Sequence, residues 1–252
     1  VGQWRAGEME GKGKLQLPNG DLYDGHWSCG KRHGKGKYLY ASGLVYDGQW
    51  SGDMKDGTGK CVWPDGRTYN GEWANNMLNG QGKLTTAAGD TYNGLWVDDA
   101  FTGAGRLKKA NGDTYVGDFI DGRLEGHGSA TFVAEGGSYE GEWSGGLWHG
   151  KGLYSWSGKK QMGFHEGDLP VGEAVRWSRD GQKAWRLWDG KVIEAIDLDY
   201  AEEIAEMIGL PVPEFEGAPA PAPATPSKKK KKKKATSGSV ENATPNLAQA
   251  VP

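Results

Sequence analysis

The sequence predicts an all-β fold: an elongated antiparallel meander of about seven β-hairpin repeats, then a degenerate β cap with one short C-terminal helix, then a disordered tail. Two observations carry this prediction. The pattern Tyr-x-Gly-x-Trp/Phe occurs six times, at intervals of 23 residues and once of 24. The 252 residues include 43 Gly, 12 Trp and 10 Tyr. A period this strict is typical of repeat arrays, in which each unit packs on its neighbours.

Each repeat has the residue alternation of two strands. In the first full copy, Tyr23, Gly25 and Trp27 stand at every second position with polar residues between them. The segment 34–40 repeats this alternation, and a period of two is typical of a strand with one buried face. The residues that define the repeat are Tyr23, Gly25, Trp27, Tyr46, Gly48, Trp50, Tyr69, Gly71, Trp73, Tyr92, Gly94, Trp96, Tyr115, Gly117, Phe119, Tyr139, Gly141 and Trp143.

Turn residues separate the predicted strands. Gly, Asn and Asp tolerate the positive φ that a correctly twisted hairpin turn requires, so we expect them to be interchangeable at the turn within each repeat. Seven residues after each repeat tyrosine stand Gly30, Asp53, Asn76, Asp99, Gly122 and Gly146. A second turn closes each repeat, at Asn19-Gly20, Ser42-Gly43, Asp65-Gly66, Ala88-Gly89, Asn111-Gly112, Gly136-Gly137 and Ser157-Gly158.

The repeated rings have two interpretations. They are the structural core of the array, or they form an aromatic platform for nucleic-acid bases or methylated lysines. Strict recurrence favours the core, because packing is needed in every repeat whereas a ligand cage would occur once.

The segment from Tyr23 to Gly36, Tyr-x-Gly-x-Trp-x-x-Gly-x-x-x-Gly-x-Gly, resembles the MORN repeat (membrane occupation and recognition nexus), and so does the segment from Tyr139 to Gly152. The resemblance covers residues 1–165 and fades at 161–165. The resemblance implies one of the settings in which MORN arrays occur, which are junctional scaffolds, ciliary and flagellar components, cytoskeletal organisers, plant phosphatidylinositol phosphate kinases and a SET-domain lysine methyltransferase. In the last two, catalysis belongs to a separate domain that nothing in this sequence resembles.

Residues 166–216 are predicted to form degenerate hairpins and a capping helix. Two hairpin turns are indicated at 179–181 and 189–190. Asp199 is the predicted helix N-cap, with Glu202 completing a capping box, and Gly209 the predicted end. The predicted apolar face consists of Tyr200, Ile204, Met207 and Ile208. We expect this helix to cover the last aromatic row, and the alternative is a docking helix for a partner.

Residues 217–252 are predicted to be a disordered Ala/Pro and poly-Lys tail. Residues 1–217 hold 23 basic and 32 acidic residues, a net charge of −9, whereas the tail contains seven consecutive lysines. The run is a solubilising tail, a contact for an anionic membrane surface, or a nuclear-import or nucleic-acid segment. The candidate contacts for anionic lipid or nucleic acid are Lys228, Lys229, Lys230, Lys231, Lys232, Lys233 and Lys234.

No catalytic pattern is found, so we expect no enzyme, cofactor or metal site. His33 and His149 share a polar column beside a turn, which explains them better than a role as general base. Cys29 and Cys61 fit no metal or redox spacing and favour a reducing compartment. No run approaches the roughly 18 apolar residues of a membrane-spanning helix. Because the repeat phrase already begins at Gly2, we expect a fragment or processed chain.

The predicted function is a non-catalytic scaffold for a protein partner along the sheet surface, and family habit favours a cytoskeletal or ciliary setting. One alternative is a peripheral tether that binds anionic phospholipid through the lysine run. Another is an accessory module of a phosphatidylinositol phosphate kinase-like protein whose catalytic part is missing. Nucleic acid is not an expected partner of the acidic array, and open sheet edges would allow a homodimer. The expected location is cytoplasmic, with cytoskeletal, ciliary or membrane-peripheral placement.

Overall fold

The all-β prediction is confirmed. The structure, a computed structural model, describes residues 1–215. They form 18 strands of one antiparallel sheet, each paired with the next along the chain, and one helix. The elements are β1 (Gly2–Arg5), β2 (Glu8–Gln16), β3 (Leu22–Ser28), β4 (Lys31–Leu39), β5 (Val45–Ser51), β6 (Met54–Val62), β7 (Thr68–Ala74), β8 (Met77–Thr85), β9 (Thr91–Val97), β10 (Ala100–Lys108), β11 (Thr114–Ile120), β12 (Arg123–Phe132), β13 (Gly137–Ser144), β14 (Leu147–Trp156), β15 (Lys159–Glu166), β16 (Leu169–Trp177), β17 (Ala184–Trp188), β18 (Lys191–Ile196) and α1 (Leu198–Ile208).

The two faces of the sheet differ in chemistry. In β3 the side chains of Tyr23 and Trp27 are buried on one face, whereas Asp24 is exposed on the other and pairs across the strands with exposed Lys37. The same alternation returns in each repeat. We call the first side the aromatic face and the second the polar face. Within residues 1–215, no helix combines the length and the apolar character needed to cross a membrane.

Every repeat tyrosine except Tyr115 packs its ring over a pair of glycines on adjacent strands. Gly25 and Gly36 face each other across β3 and β4, and the ring of Tyr23 covers both. A Cβ atom on Gly25 would lie 2.5 Å from the Tyr23 hydroxyl oxygen and 2.6 Å from ring atom Cζ, closer than real Cβ contacts come. The glycines are therefore required for packing, since only a residue without a side chain leaves room for the ring.

The first glycine of each recurring Gly-x-Gly pair has a different role. The alternation predicted for segment 34–40 includes Gly34, which pairs with Trp50. Gly34 also has a φ of +62° and lies in a bulge where the register shifts between Gly25 and Trp27. Gly57, one repeat later, has a φ of +94°. A bulge adds one residue to one strand and increases its twist, and glycine accommodates the left-handed conformation.

The turn column has the predicted positive φ: it is 70° at Gly30 and 72° at Asp53. The prediction that its residues are interchangeable is wrong. Asp53 accepts a hydrogen bond through Oδ1 from the backbone N–H of Arg32 in the preceding hairpin (3.0 Å). The backbone N–H of Asp53 donates to the Arg32 carbonyl in return (3.1 Å). The side chains that join hairpins through Oδ1 in this way are Asp53, Asn76, Asp99, Asp168 and Asp189.

The helix begins earlier than predicted and contacts the opposite face. Its N-cap is Asp197, not Asp199, and the Asp197 carboxylate accepts from the N–H of Tyr200 (2.8 Å). The predicted end is confirmed, since Gly209 is left-handed with a φ of 76°. Met207, placed on the apolar face by the sequence pattern, is 64% exposed. The buried helix residues are Ala201, Ile204, Ala205 and Ile208.

The helix does not cover the last aromatic row, contrary to prediction. It packs against Met162, Val175 and Trp177, which form a second core cluster with Ala184. Cross-strand register places these four side chains on the polar face. Apolar residues replace polar ones there, so the end of the polar face has apolar surface to bury, and the helix covers it.

The sheet continues through the predicted division at residue 165, because β15 pairs with both β14 and β16. What changes there is the face that carries the apolar residues. The predicted disordered tail, 217–252, lies outside the described residues.

We expect Gly59→Ala to lower the free energy of unfolding by about 1–3 kcal/mol, because the added methyl group would collide with the ring and hydroxyl of Tyr46. Lys60→Ala, the next residue and exposed on the polar face, is the matched control, with an expected change of about 0.5 kcal/mol or less. Urea unfolding followed by tryptophan fluorescence measures both. Equal midpoints for the two variants would contradict this account of the packing.

Candidate interaction surface

The aromatic face is built as a ladder of alternating rings. Tyr46 lies between Trp50 of its own repeat and Trp73 of the next, with ring centroids 5.1 and 5.2 Å apart and interplanar angles of 89° and 83°. Such edge-to-face pairs contribute about 0.5–1.5 kcal/mol each beyond burial. The tyrosines with two edge-to-face neighbours are Tyr23, Tyr46, Tyr69, Tyr92 and Tyr139, and the second neighbour is Phe119 for Tyr92 and His165 for Tyr139.

The polar atoms of the ladder rings are hydrogen-bonded. The Tyr46 hydroxyl donates to the carbonyl of Gln49 (2.8 Å), and Nε1 of Trp50 donates to the carbonyl of Gly36 in the preceding repeat (3.0 Å). The same two bonds recur along the array, with exceptions in the fifth full repeat. Buried donors need such partners, so each repeat is fixed to the one before it.

Cationic side chains of the chain itself cover part of the aromatic face. The guanidinium carbon of Arg32 lies 4.5 Å from the ring centroid of Trp50 and 5.0 Å from that of Tyr38. Its Nε also donates to Oδ1 of Asp53 (2.9 Å). The ammonium of Lys55 lies 4.9 Å from the ring centroid of Trp73, and burial lowers the pKa of Lys55. We call the space over each ladder tryptophan, where Arg32 and Lys55 lie, a slot, and in these two repeats the slot holds a cation.

The ladder is interrupted at the fifth full repeat. The ring of Tyr115 does not cover its glycine pair, Gly117 and Gly128, because the side chain of Leu124 lies over these glycines instead. Within residues 1–215 the Tyr115 hydroxyl has no hydrogen bond of the kind that Tyr46 makes. Phe119, where other repeats have Trp, also lacks the indole N–H.

Two clefts adjoin the displaced ring, and both are lined by Tyr115 and Gly146. The larger, which we call the Tyr115 cleft, has a volume of about 300 Å³. The second has a volume of about 210 Å³. The interruption therefore produces a concave feature on the aromatic face.

A row of partly buried apolar side chains follows the inter-repeat turns. Leu17, Tyr40, Trp63 and Phe132 occupy one column of the repeat and pack on the aromatic core while remaining partly exposed. Each of the first three opens a tight turn; for example, the N–H of Tyr40 donates to the carbonyl of Leu44 (2.9 Å). We call these four residues the apolar stripe, which is interrupted between Trp63 and Phe132, where the same column holds Thr86 and Lys109.

The repeat-defining residues lie where a core interpretation places them: Tyr23, Tyr46, Tyr69 and Tyr139 are fully buried, whereas Tyr115 is only partly buried. They therefore offer no open platform for bases. The candidate contacts Lys228–Lys234 lie outside the described residues. Within residues 1–215, no group of three or more His, Cys, Asp or Glu side chains is placed to hold a metal ion.

One residue of the ladder was not predicted from the sequence pattern. His165 takes the place of a tryptophan, with its ring 5.4 Å from that of Tyr139 at 88°. It is 4% exposed, its Nδ1 has no hydrogen-bond partner among the described residues, and burial lowers its pKa. The usable signal was its position 22 residues after Trp143, within the segment where the Tyr and Trp pattern is lost.

The repeating hairpins match a known protein family. A family model described as MORN repeat matches residues 1–22, 23–45, 46–66, 69–91, 92–114, 115–134 and 139–159, more than half of the chain. The chain belongs to the MORN repeat family. The seven matches confirm the predicted number of repeats, and each MORN repeat corresponds to one hairpin with its turns. No curated protein matches this MORN chain.

Solved structures resemble the MORN sheet distantly. The TCP domain of SAS-4 from Drosophila melanogaster, in complex with a proline-rich motif of Ana2, is 12% identical, with 70% of this chain and 88% of that chain covered and a TM-score of 0.39. The TCP10 domain of Danio rerio CPAP, in complex with a STIL peptide, is 14% identical, with 74% and 99% covered and a TM-score of 0.35. Virginiamycin B lyase from Staphylococcus aureus is 12% identical, with 74% and 70% covered and a TM-score of 0.16. Because these TM-scores are below 0.5, no function is inferred from the likeness.

Burial of the ladder predicts instability in alkali. It raises the pKa of Tyr69 and Tyr92 to about 12, above the value of about 10 in an unfolded chain. The unfolded chain therefore loses these protons first, so stability is fully present below about pH 10 and is lost as the pH rises towards 12. We expect Tyr69→Phe to show a smaller fall in urea midpoint between about pH 9 and about pH 11 than the wild type.

Tyr200→Phe, which changes a tyrosine outside the ladder, is the control for this pH series. An identical pH dependence for wild type and Tyr69→Phe would contradict the role assigned to the buried hydroxyl.

Proposed function

We propose that this MORN array is a non-catalytic scaffold that binds a protein partner along its aromatic face. The observation that carries the proposal is the apolar stripe, which stays partly exposed while the rings beneath it are buried. Apolar side chains aligned along a solvated surface are typical of interaction sites. The helix does not compete for this surface, because it packs on the polar face at β15–β17.

The repeat spacing restricts the shape of the partner. The first three stripe positions, Leu17, Tyr40 and Trp63, are each two strands apart, or about 9.6 Å, since neighbouring strands are about 4.8 Å apart. That distance corresponds to about three residues of an extended segment or about six of a helix. An elongated segment with regularly spaced apolar residues would match several repeats at once, which is how repeat arrays use their extended surfaces.

The charge of the array favours a basic partner. Residues 1–217 have a net charge of −9. A field of one sign accelerates encounters with the opposite sign and disfavours acidic partners.

The stripe is tested with two full-length variants used as bait beside the wild type. Leu17→Ser combined with Tyr40→Ser removes part of the stripe. Leu39→Ser combined with Val116→Ser removes two apolar residues from the polar face that are more exposed than the stripe residues. We expect a protein that binds the wild type with saturable affinity to bind the polar-face variant equally and the stripe variant at least about ten-fold more weakly, because two apolar contacts are lost.

Equal weakening of partner binding in both variants would show that the partner does not bind at the stripe. Recovery of no saturable partner by the wild type would count against the scaffold function itself.

The lysine run favours a second candidate function, a peripheral tether to an anionic membrane. Clusters of four to eight basic residues gain roughly 1 kcal/mol per residue near anionic lipid. We expect the full chain to sediment with vesicles of phosphatidylcholine and phosphatidylserine at about 0.15 M salt, where the screening length is about 8 Å. A full-length variant with Gln at positions 228–234 should lose this binding, and neutral vesicles should retain neither protein. Binding that survives in the Gln variant would contradict a tether through the lysines.

The remaining expectations stay predictions. Cytoskeletal or ciliary placement, cytoplasmic location and an accessory role beside a lipid kinase depend on the family resemblance. Homodimer formation depends on the sheet edges at β1 and β18. Within residues 1–215 each of these strands pairs on one side only.

A further inference from the structure

We propose that the Tyr115 cleft is a receptor for one cationic side chain, arginine or lysine, of the partner segment. This inference rests on the proposed scaffold function and names the partner chemistry at one point of the aromatic face.

The Tyr115 cleft is walled by four aromatic rings. The ring of Tyr115 lies 6.2 Å from that of Phe132 and 6.2 Å from that of Trp143, at angles of 80° and 75°. The ring of Trp148 lies 5.9 Å from that of Phe132. A volume of about 300 Å³ between them is enough for the end of one long side chain. Aromatic walls around such a space attract a cation electrostatically.

The chain itself shows what the corresponding slot holds. Two residues after each turn residue comes the side chain that fills the slot over the ladder, and in the first full repeat it is Arg32, stacked on Trp50 and Tyr38. The second full repeat uses Lys55 in the same column. Arg176 lies 5.2 Å from the ring centroid of Trp156 near the end of the sheet. This face therefore accepts cations repeatedly.

From the third full repeat onward the column of Arg32 is uncharged, with Leu78, Phe101, Leu124 and Trp148. In the fifth full repeat Leu124 is drawn onto the glycine pair. The repeat has Ala130 where the first has Tyr38, and Gly146 where it has Asp53. Three smaller or displaced side chains thus leave space beside Trp143, and the cation must come from outside the repeat.

Two carboxylates line the cleft. Oδ1 of Asp168 accepts a hydrogen bond from the backbone N–H of Trp148 (2.7 Å), which leaves its second carboxylate oxygen available to a cation in the cleft. Glu135 contacts the Tyr154 hydroxyl at 3.4 Å and is exposed. The field of Asp168 reaches the Tyr115 ring, since it contributes, after burial and Asp113, to raising the pKa of Tyr115.

Charge also distinguishes the two clefts. The second one is lined by Lys109 and Arg123, and Lys109 is already paired with Asp90 at 2.6 Å. A guanidinium or ammonium group would therefore be attracted to the Tyr115 cleft and repelled from its neighbour. The arrangement repeats the elements of the Arg32 site, aromatic faces with a carboxylate beside them, with the cation removed.

The test uses small probes and the full chain, so that it does not depend on a partner protein. N-acetyl-arginine methylamide is titrated into protein with ¹⁵N-labelled indole groups. We expect saturable shifts of the Trp143 and Trp148 resonances with a millimolar dissociation constant. The neutral isostere N-acetyl-citrulline methylamide should bind at least about five-fold more weakly.

Two variants with a matched control separate charge from structure. Asp168→Asn combined with Glu135→Gln should weaken arginine binding about three- to ten-fold, while Asn keeps the acceptor for the Trp148 N–H. Asp99→Asn, at the same turn position and bonded in the same way to Leu78, should leave binding unchanged.

Equal binding of arginine and citrulline would overturn the cation assignment, as would equal weakening by Asp99→Asn. Shifts centred on Trp73 and Trp96 instead of Trp143 and Trp148 would overturn the location. These outcomes do not affect the stripe experiment. Weaker binding of a protein partner to the stripe variant would still support the scaffold function. Arginine binding in the absence of any protein partner would support the cleft proposal alone.

Discussion

The contact between a tyrosine ring and two bare glycines is the constraint on which the rest of the structure depends. In each regular repeat the ring lies over glycines on adjacent strands, as Tyr46 does over Gly48 and Gly59. The ring is then close enough to the backbone for its hydroxyl to reach the carbonyl of Gln49. It also presents its edge to the tryptophans before and after it. A single hairpin is marginally stable, and the hairpins become stable together because a tyrosine such as Tyr46 contacts one tryptophan of its own repeat and one of the next.

The same constraint explains why no other element of residues 1–215 needs to cover the aromatic face. The ladder buries its rings within the sheet layer, so no second layer is needed above them. Where more cover is required, the chain uses long side chains such as Arg32 and Lys55, which place a charge over the rings and keep contact with water. A sandwich or a covering helix would have closed this face, but the helix of this chain packs on the other one.

The interruption at Tyr115 shows what happens when the constraint is relaxed. With Phe119 in place of tryptophan and Ala130 beside it, the ring of Tyr115 leaves its glycines and Leu124 takes over. The sequence pattern at Tyr115 is regular, so the candidate cleft could not be predicted from it. Phe119 is a visible departure from a column that is otherwise tryptophan, but Leu124 and Ala130 stand in columns that vary among the repeats. His165 was missed for a related reason: a ladder position was kept while the residue type that marks it was lost.

The sequence by itself determined the period, the strand and turn positions, the burial of the rings and the end of the helix at Gly209. These properties are local, because alternation, positive φ and glycine spacing act within one repeat. Only the tertiary structure decided that Asp53 joins neighbouring hairpins, that the helix packs on the polar face and that a cleft opens at Tyr115. Each of these depends on which side chains meet across strands far apart in sequence, and small differences in ring and side-chain volume decide that packing.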